Sequence, residues 1–337
     1  MKLEFVWGDT ALQTPKILSI YENLGPQVLI YHIGGTPDCI ALKDRLSKAC
    51  LAATCMAGPP TAFYPPATLF VHFPLYTDQC AAYVDWFTEN WQEDRAPRFA
   101  FLTADSSFGR SVETPEMRGY IEGKGVEIVG SQYVETIPKT APTTQLTWLK
   151  DNEVDFTFGA MVCPTAVPIV KEMARLDIGP NRGYKMTFAA VQPTIMDRFI
   201  GLAGEAANGA VGAAPYPAWD EDKPAVELAV ELQNRYRPGE TIRDGMYFEG
   251  LAEVTIQVEA IKMALEKVPA EELKPADVLE YGFYQMEDFD IGGIGDTTIT
   301  FGPDKCLGYN VVRVDQVQSG KQVKLGTWPA QYLLGIE

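Results

Sequence analysis

This sequence of 337 residues has only two histidines, and its six cysteines are scattered. The two histidines, His32 and His72, are far apart, and the six cysteines include no C-x-x-C pair, so a zinc site is not expected. Both histidines lie in strand-like runs, where half-buried side chains with satisfied hydrogen bonds are expected. Most cysteines are expected to be buried free thiols. Cys50 and Cys55 are separated by an extended run that is too long for them to pair.

Long apolar runs and nucleotide motifs are also missing. The best apolar stretch, residues 160–170, is short and contains two prolines, and the first ten residues have no signal-peptide pattern. No G-x-G-x-x-G, G-x-x-x-x-G-K-[ST] or G-x-S-x-G motif occurs, so an enzyme is the least supported class. Lysine and arginine number 28 against 45 acidic residues, a net charge of −17 that argues against nucleic acid and anionic membranes as partners.

What the sequence does contain is an alternation of short β-type runs with helical patterns. The first helix is expected to start with Thr14 as N-cap and to end at Gly25. Strands are expected at 27–33, 51–55, 68–73, 98–103, 126–134, 154–160 and 184–190, with helices between them. Two long helices, 223–236 and 244–267, and three β-type pieces, 297–301, 309–314 and 322–326, complete the chain. This alternation predicts an α/β fold with parallel sheets flanked by helices, arranged as two similar lobes.

The loops that follow the predicted strands are the candidate site. In open α/β sheets, ligands lie beyond the carboxyl ends of the strands and against helix N-termini. Five such loops carry small, flexible or aromatic residues, and together they favour a cleft, although strand-to-helix turns need such residues anyway. They contain Gly35 and Thr36, Ala57 and Gly58, Phe108, Met161, and Gln192.

Several segments together resemble the type I periplasmic solute-binding proteins of ABC importers, specifically the branched-chain-amino-acid-binding group. They are VWGDT…TPKILSIY, RFAFLTADSSFGRS, DFTFGAMV…PIVKEMARLDI, LAGEAANGAVG and MYFEGLAEV. The resemblance covers nearly the whole chain. It implies two Rossmann-like lobes joined by three hinge crossovers, near Cys80, Tyr216 and Gly295. Lobe one would comprise residues 1–80 and 216–294, and lobe two residues 81–215 and 295–337.

One departure from the family concerns the first lobe. Family members have a strand and a helix before the segment that matches LEFVWGDT, and this first strand-helix unit has no counterpart here. A truncated or misassigned start would explain this. If the chain begins at Met1, a gap is expected in the first sheet, where that strand is central, with unpaired ladders and lower stability.

The resemblance also implies how the ligand is held. Amino-acid binders of this group hold the α-carboxylate with serine and threonine hydroxyls and the ammonium with an acidic residue. Those positions fall on Gly35, Gly58 and Gln192, and Phe108 and Met161 stand where tyrosines are common. An unpaired ammonium in a closed cleft would be costly, so the expected ligand is a small aromatic or apolar acid, or a neutral amide-like solute.

Four further residues are expected at the rim or hinge. Tyr76, Trp219, Arg243 and Tyr247 are candidate ligand contacts. The alternatives are that Tyr76 and Tyr247 face the core and that Arg243 is a solvated cation at a helix start. An Arg243 side chain that points into the cleft would favour an acid as ligand.

The predicted function is that of a periplasmic solute-binding protein, a monomer that closes around a small molecule and delivers it to an ABC permease. Neither catalysis nor a cofactor is expected. The alternative is a ligand-sensing domain of a regulator or receptor with the same fold.

Overall fold

A computed structural model describes residues 2–11, 13–192, 194–213, 215–240 and 243–333. Its strands form two main sheets, each flanked by helices. In the described part of the chain, no helix is long and apolar enough to cross a membrane.

The first sheet has three short parallel strands in the order β1-β2-β3. They are β1 (Tyr31–Ile33), β2 (Ala53–Cys55) and β3 (Leu69–Val71). The helices associated with it are α1 (Thr14–Leu24), α2 (Thr36–Lys48), α3 (Pro60–Phe63), α10 (Pro224–Tyr236), α11 (Met246–Leu265) and α12 (Pro275–Tyr281). An antiparallel pair, β9 (Phe289–Asp290) and β10 (Thr298–Ile299), follows α12.

The second sheet has seven strands in the order β12-β11-β8-β7-β6-β4-β5. They are β4 (Arg98–Ala104), β5 (Glu127–Val134), β6 (Phe156–Gly159), β7 (Thr187–Ala190), β8 (Val211–Ala213), β11 (Val311–Gln318) and β12 (Lys321–Pro329). All pairings are parallel except those of β11, which is antiparallel to β8 and β12. Its helices are α4 (Tyr76–Glu89), α5 (Ser107–Arg110), α6 (Pro115–Gly123), α7 (Thr143–Asp151), α8 (Cys163–Arg175) and α9 (Asp197–Ala203).

Each sheet has its own apolar core. Alternate residues of β4 enter opposite faces of the second sheet, Phe99 and Phe101 on one and Ala100 and Leu102 on the other. Both faces are therefore covered, as expected for a parallel sheet between helices. The first core combines residues from 17–75 with residues from 216–309. The chain thus leaves the first core after β3 and returns to it after β8. The predicted α/β fold is confirmed.

Two details of the predicted elements are wrong at the N-terminal side. Thr14 is not the N-cap of α1. Gln13 precedes the helix with extended backbone, and its carbonyl accepts the N–H of Ile17 at 3.0 Å, so Thr14 is already helical. The strand predicted over 27–33 is only residues 31–33, because the ladder to β2 extends no further and residues 25–27 form a 3-10 turn.

The expected gap in the first sheet is visible at β1. This strand pairs with β2 on one side, and no described strand lies on its other side. Residues 2–10 have no regular secondary structure, and Phe5 and Trp7 are 72% and 84% exposed. Among the described residues, β1 is therefore an edge strand, and its outer N–H and C=O groups have no partner strand.

All six cysteines are free, and five of them are buried. Cys50 is exposed in the turn after α2 and is not bonded to Cys55, as predicted. The Sγ atoms of Cys39 and Cys55 lie 3.2 Å apart as a thiol contact between α2 and β2.

A buried ion cluster connects β11 to the segment after β8. The Arg313 guanidinium binds the Asp315 carboxylate, with Nε to Oδ1 at 2.8 Å, and the Glu221 carboxylate, with Nη2 to Oε1 at 2.6 Å. The side chains of Arg313 and Asp315 are almost completely buried. This cluster holds the segment at Glu221 against the second sheet.

Candidate functional site

Loops that follow the carboxyl ends of strands in the two sheets meet at Tyr76. This residue begins α4 directly after β3, and its ring lies 5.1 Å from that of Phe108, at an interplanar angle of 67°. Phe108 lies in α5, just after β4. Ala57, from the loop after β2, packs in the same apolar cluster. The structure therefore brings together strand-end loops from the residue ranges that the sequence analysis gave to the two lobes.

Thr36 and Gly35 form the start of α2 beside this contact. Gly35 is the extended N-cap residue, and Thr36 is the first helical residue and is buried. Burial raises the pKa of the Tyr76 hydroxyl, and the neighbouring Thr36 side chain partly offsets this effect. Gly58 lies against Phe63, where an added Cβ would come within 2.9 Å of the ring. A larger residue at position 58 would therefore displace Phe63.

Gln192 and Met161 form the wall from the second sheet, and both are fully buried. Gln79 of α4 holds Gln192, because its Oε1 accepts the Gln192 backbone N–H at 2.9 Å and its Nε2 donates to Gln192 Oε1 at 3.1 Å. Within the described residues, Gln192 Nε2 has no hydrogen-bond partner. A buried donor without a partner is costly, and a ligand oxygen would satisfy it.

Three of the four predicted rim residues, Trp219, Tyr247 and Arg243, form a separate group, whereas Tyr76 is buried in the cluster with Phe108. Trp219 is buried, with its ring 5.6 Å from that of Tyr247, which is half-buried. The Arg243 guanidinium is 5.4 Å from the Trp219 ring centroid, a cation–π contact, and Arg243 itself is exposed. Trp219 Nε1 is buried and has no partner among the described residues.

Sequence reasoning missed a buried carboxyl group at the start of α11. Tyr216 Oη donates a hydrogen bond of 3.2 Å to Glu249 Oε2, and both residues are buried. Within the described ranges, no lysine or arginine nitrogen lies within 4.0 Å of this carboxyl group. Burial, reinforced by the charge of Glu253, raises the pKa of Glu249 to about 8. The group is therefore mostly protonated at neutral pH and can act as a donor.

A second carboxyl group, Glu253, lies one turn further along α11. Its Oε1 is 2.7 Å from Nδ1 of His32, which is half-exposed. Burial opposes the charged form of His32, but the contact with Glu253 outweighs this and raises the pKa of His32. The pKa of Glu253 is lowered, because His32 outweighs its burial. The signal in the sequence is helical spacing, which puts Glu249 and Glu253 on the apolar face of α11 with Ile256.

The expectation for His72 is wrong. It was expected to be half-buried with satisfied hydrogen bonds, but it is fully buried and neither ring nitrogen has a partner among the described residues. Burial lowers the pKa of His72 to about 4, so the imidazole is neutral. Its position just after β3, against Phe73, accounts for the loss of water.

The described residues contain no group of three or more histidine, cysteine, aspartate or glutamate side chains that could hold a metal ion. The site is instead an apolar cluster with isolated buried polar groups. That combination suits recognition of a small organic molecule by shape and a few hydrogen bonds. The fold defines a protein of the two-sheet α/β class, and these groups are its candidate ligand contacts.

Residues 1–321 match the family model described as periplasmic binding protein, and the chain belongs to this family. No curated protein matches the chain. Among solved structures, it is similar to a branched-chain amino acid ABC transporter protein from Thermus thermophilus with bound valine (TM-score 0.83, 20% identity, 95% of this chain and 84% of that one). It is also similar to an ABC transporter substrate-binding protein from Aeropyrum pernix (TM-score 0.84, 16% identity, 99% of this chain and 87% of that one). A third similar structure is a fatty acid ABC transporter substrate-binding protein from Thermomonospora curvata (TM-score 0.80, 17% identity, 99% of this chain and 83% of that one).

Proposed function

We propose that this protein is the substrate-binding component of an ABC importer. It binds a small molecule between its two sheets, closes by a hinge motion and presents the closed form to a membrane permease. The observation that carries this proposal is the meeting of loops from both sheets at the Tyr76 and Phe108 rings, 5.1 Å apart. A ligand that contacts both walls favours the closed state by its differential affinity for it. The protein acts without catalysis or a cofactor, as a monomer in the periplasm.

The two lobes of the proposal follow the two cores. One lobe is the first sheet with its helices, and the other is the seven-stranded sheet with its helices. The chain crosses between them after β3, after β8 and again before β11. Because residues 299–309 pack in the first core, we propose the third crossing near residue 310 rather than near Gly295.

The ligand class proposed is a small aromatic or apolar acid, or a neutral amide-like solute. Phe108 and Met161 provide an apolar wall, and Gln192 provides an N–H donor and no negative charge. Glu249 is largely protonated at neutral pH and can also donate. The nearby Glu253 carboxylate is already paired with His32, so these donors suit a carboxylate or carbonyl oxygen better than an ammonium group.

The test combines closure with binding. Native mass spectrometry of the purified protein identifies retained ligand, and small-angle scattering measures the radius of gyration with and without it. We expect a smaller radius with ligand. A saturating ligand that leaves the radius unchanged would contradict the closure mechanism.

Calorimetry tests the ligand class. Leucine, isoleucine and valine are compared with benzoate, phenylacetate and their amides. We expect binding only in the second group, and at least a tenfold loss in Phe108→Ala, which corresponds to about 1.4 kcal/mol. Ile137→Ala is the matched control, because Ile137 is 72% exposed. Micromolar binding of leucine would refute the proposed class.

A further inference from the structure

A carboxyl group is buried where the chain passes from the first sheet to the second. Asp78 lies in the first turn of α4, after β3, and is 1% exposed. Its Oδ2 accepts a hydrogen bond from the hydroxyl of Tyr309, which packs in the first core. The Leu75 N–H donates to the same hydroxyl at 3.0 Å. The segment after β3 and the segment before β11 are therefore joined at this carboxyl group.

The same carboxyl group holds the segment that follows β12. Its Oδ1 accepts the backbone N–H groups of Gln331 at 3.2 Å and of Tyr332 at 2.7 Å. The Tyr332 hydroxyl donates to the Tyr309 carbonyl at 2.6 Å, and the two rings lie 5.7 Å apart. Ala330 packs against the apolar cores of both sheets. We call residues 330–333 the strap, because they connect the two cores.

The charge of Asp78 strengthens these contacts. Burial raises the pKa of Asp78 to about 6, and the hydrogen bonds from Tyr309 and from the strap partly offset this effect. At pH 7.5 the group is therefore mainly a carboxylate. Hydrogen bonds to a carboxylate are stronger than those between neutral groups, so the strap is held firmly.

The turn of α4 that carries Asp78 also carries two residues of the candidate site. Tyr76 contacts Phe108, with the rings 5.1 Å apart, and Gln79 binds Gln192 through two hydrogen bonds. A helical turn moves as one unit, because its backbone hydrogen bonds fix the relative positions of its residues. The strap is thus connected to the candidate ligand contacts through one rigid element.

We propose that the strap is a latch that favours the closed state, and that Asp78 is the positioning residue that holds it. This inference rests on the proposed hinge closure. In the structure, the strap contacts both cores while the loops of both sheets meet at Tyr76. Hinge opening moves one core relative to the other, so a short segment bonded to both loses contacts. Release of the strap should therefore increase the open population and weaken ligand binding in the same proportion.

Spin labels on the two proposed lobes measure their separation without any ligand. Ile40→Cys, on α2, and Ile137→Cys, after β5, provide label sites at positions that are 58% and 72% exposed. Cys50→Ser removes the exposed native thiol, and the other five cysteines are buried. Double electron–electron resonance at pH 7.5 then gives the distribution of distances between the labels.

Tyr332→Pro releases the strap at a residue that is 37% exposed. Proline lacks the N–H that binds Asp78 and cannot adopt the φ of 49° found at this position. Gln331→Ala is the matched control, because it keeps the backbone N–H that Asp78 accepts. Asp78→Ala breaks the same contact from the other side. Circular dichroism verifies folding, and Tyr332→Pro decides the test if Asp78→Ala does not fold.

Hydrogen exchange and the label distances are measured on the same variants. We expect the amides of residues 331 and 333 to exchange roughly tenfold or more faster in Tyr332→Pro. The distance distribution of this variant should gain a longer component that is weaker in the wild type and in Gln331→Ala. Asp78→Ala should show the same longer component.

Two results would overturn the proposal. Fast exchange of the strap with an unchanged distance distribution would show that the strap does not act on the hinge. Unchanged exchange in Tyr332→Pro would show that Asp78 does not hold the strap. Failure of the proposed closure has a different signature, which is an unchanged radius of gyration of the wild type with a saturating ligand.

Discussion

Replacement of Glu249 by glutamine should remove a large part of the pH dependence of stability. The carboxyl group is buried beside Tyr216, and its pKa is raised from 4.5 to about 8 by burial. Between these two pH values the folded protein holds a proton that the unfolded chain has released. Stability from this group is therefore complete below pH 4.5 and is lost as the pH rises to about 8.

The magnitude follows from the same two values. A difference of about 3.5 in pKa corresponds to at most about 5 kcal/mol, at 1.36 kcal/mol for each pH unit. Glu249→Gln keeps the hydrogen bond from Tyr216 and cannot ionise. The variant should therefore match the wild type near pH 5 and exceed its free energy of unfolding by several kcal/mol at pH 8.5.

Urea denaturation at half-unit steps from pH 4.5 to 8.5 measures this effect. Glu227→Gln is the matched control, because it removes an exposed carboxyl group from α10. Its stability curve should run parallel to that of the wild type. A Glu249→Gln curve that is also parallel over the whole range would refute the assignment of a buried, protonated carboxyl group.

Three further predictions concern stability and the thiols. Arg313→Met leaves the buried Asp315 carboxylate without its cationic partner, with only the hydrogen bond from Gln322, at 2.8 Å, among the described residues, and should lower the free energy of unfolding by about 3–5 kcal/mol. A loss below about 1 kcal/mol in urea titration would contradict this. Gly159→Ala would place a Cβ 1.8 Å from the Leu102 carbonyl oxygen and should lower the free energy of unfolding by about 1–3 kcal/mol or more. The expected readout is a lower melting temperature. Gly119→Ala is the control, because an added Cβ there meets no atom within 4 Å. Thiol titration of the denatured protein should give six thiols with and without reductant, and four or fewer without reductant would disprove free cysteines.

Elements with strong local signals could be predicted from the sequence. The boundaries of α10, Pro224–Tyr236, lie within one residue of the predicted 223–236, because its apolar positions have helical spacing and turn residues flank it. Elements that form only through contact with another part of the fold could not be predicted. Residues 28–30 have strand-forming side chains, but β2 is too short to pair with them. The short helices α9 and α12 were not predicted, since a seven-residue helix depends mainly on packing.

In the candidate site, too, some features were predictable from local sequence and others depend on tertiary contacts. The strand-end loops were predicted because parallel strands place their carboxyl ends at one edge, and the contact of Tyr76 with Phe108 agrees with this. Glu249 was missed because a glutamate on an apolar helix face is usually read as solvated, and its burial depends on Tyr216, 33 residues away. The environment of His72 likewise depends on tertiary packing rather than on its neighbours in sequence.

The strand order of the larger sheet has a consequence for biosynthesis. β8 ends at Ala213, but its neighbour β11 begins at Val311, 98 residues later. At roughly 5–20 residues per second, a ribosome needs roughly 5–20 s to produce that interval. During this time the nascent chain presents an open strand edge at the buried strand β8, which β11 covers only after it has been translated. The protein therefore emerges with its larger sheet incomplete, and truncation before β11 would leave that edge permanently exposed.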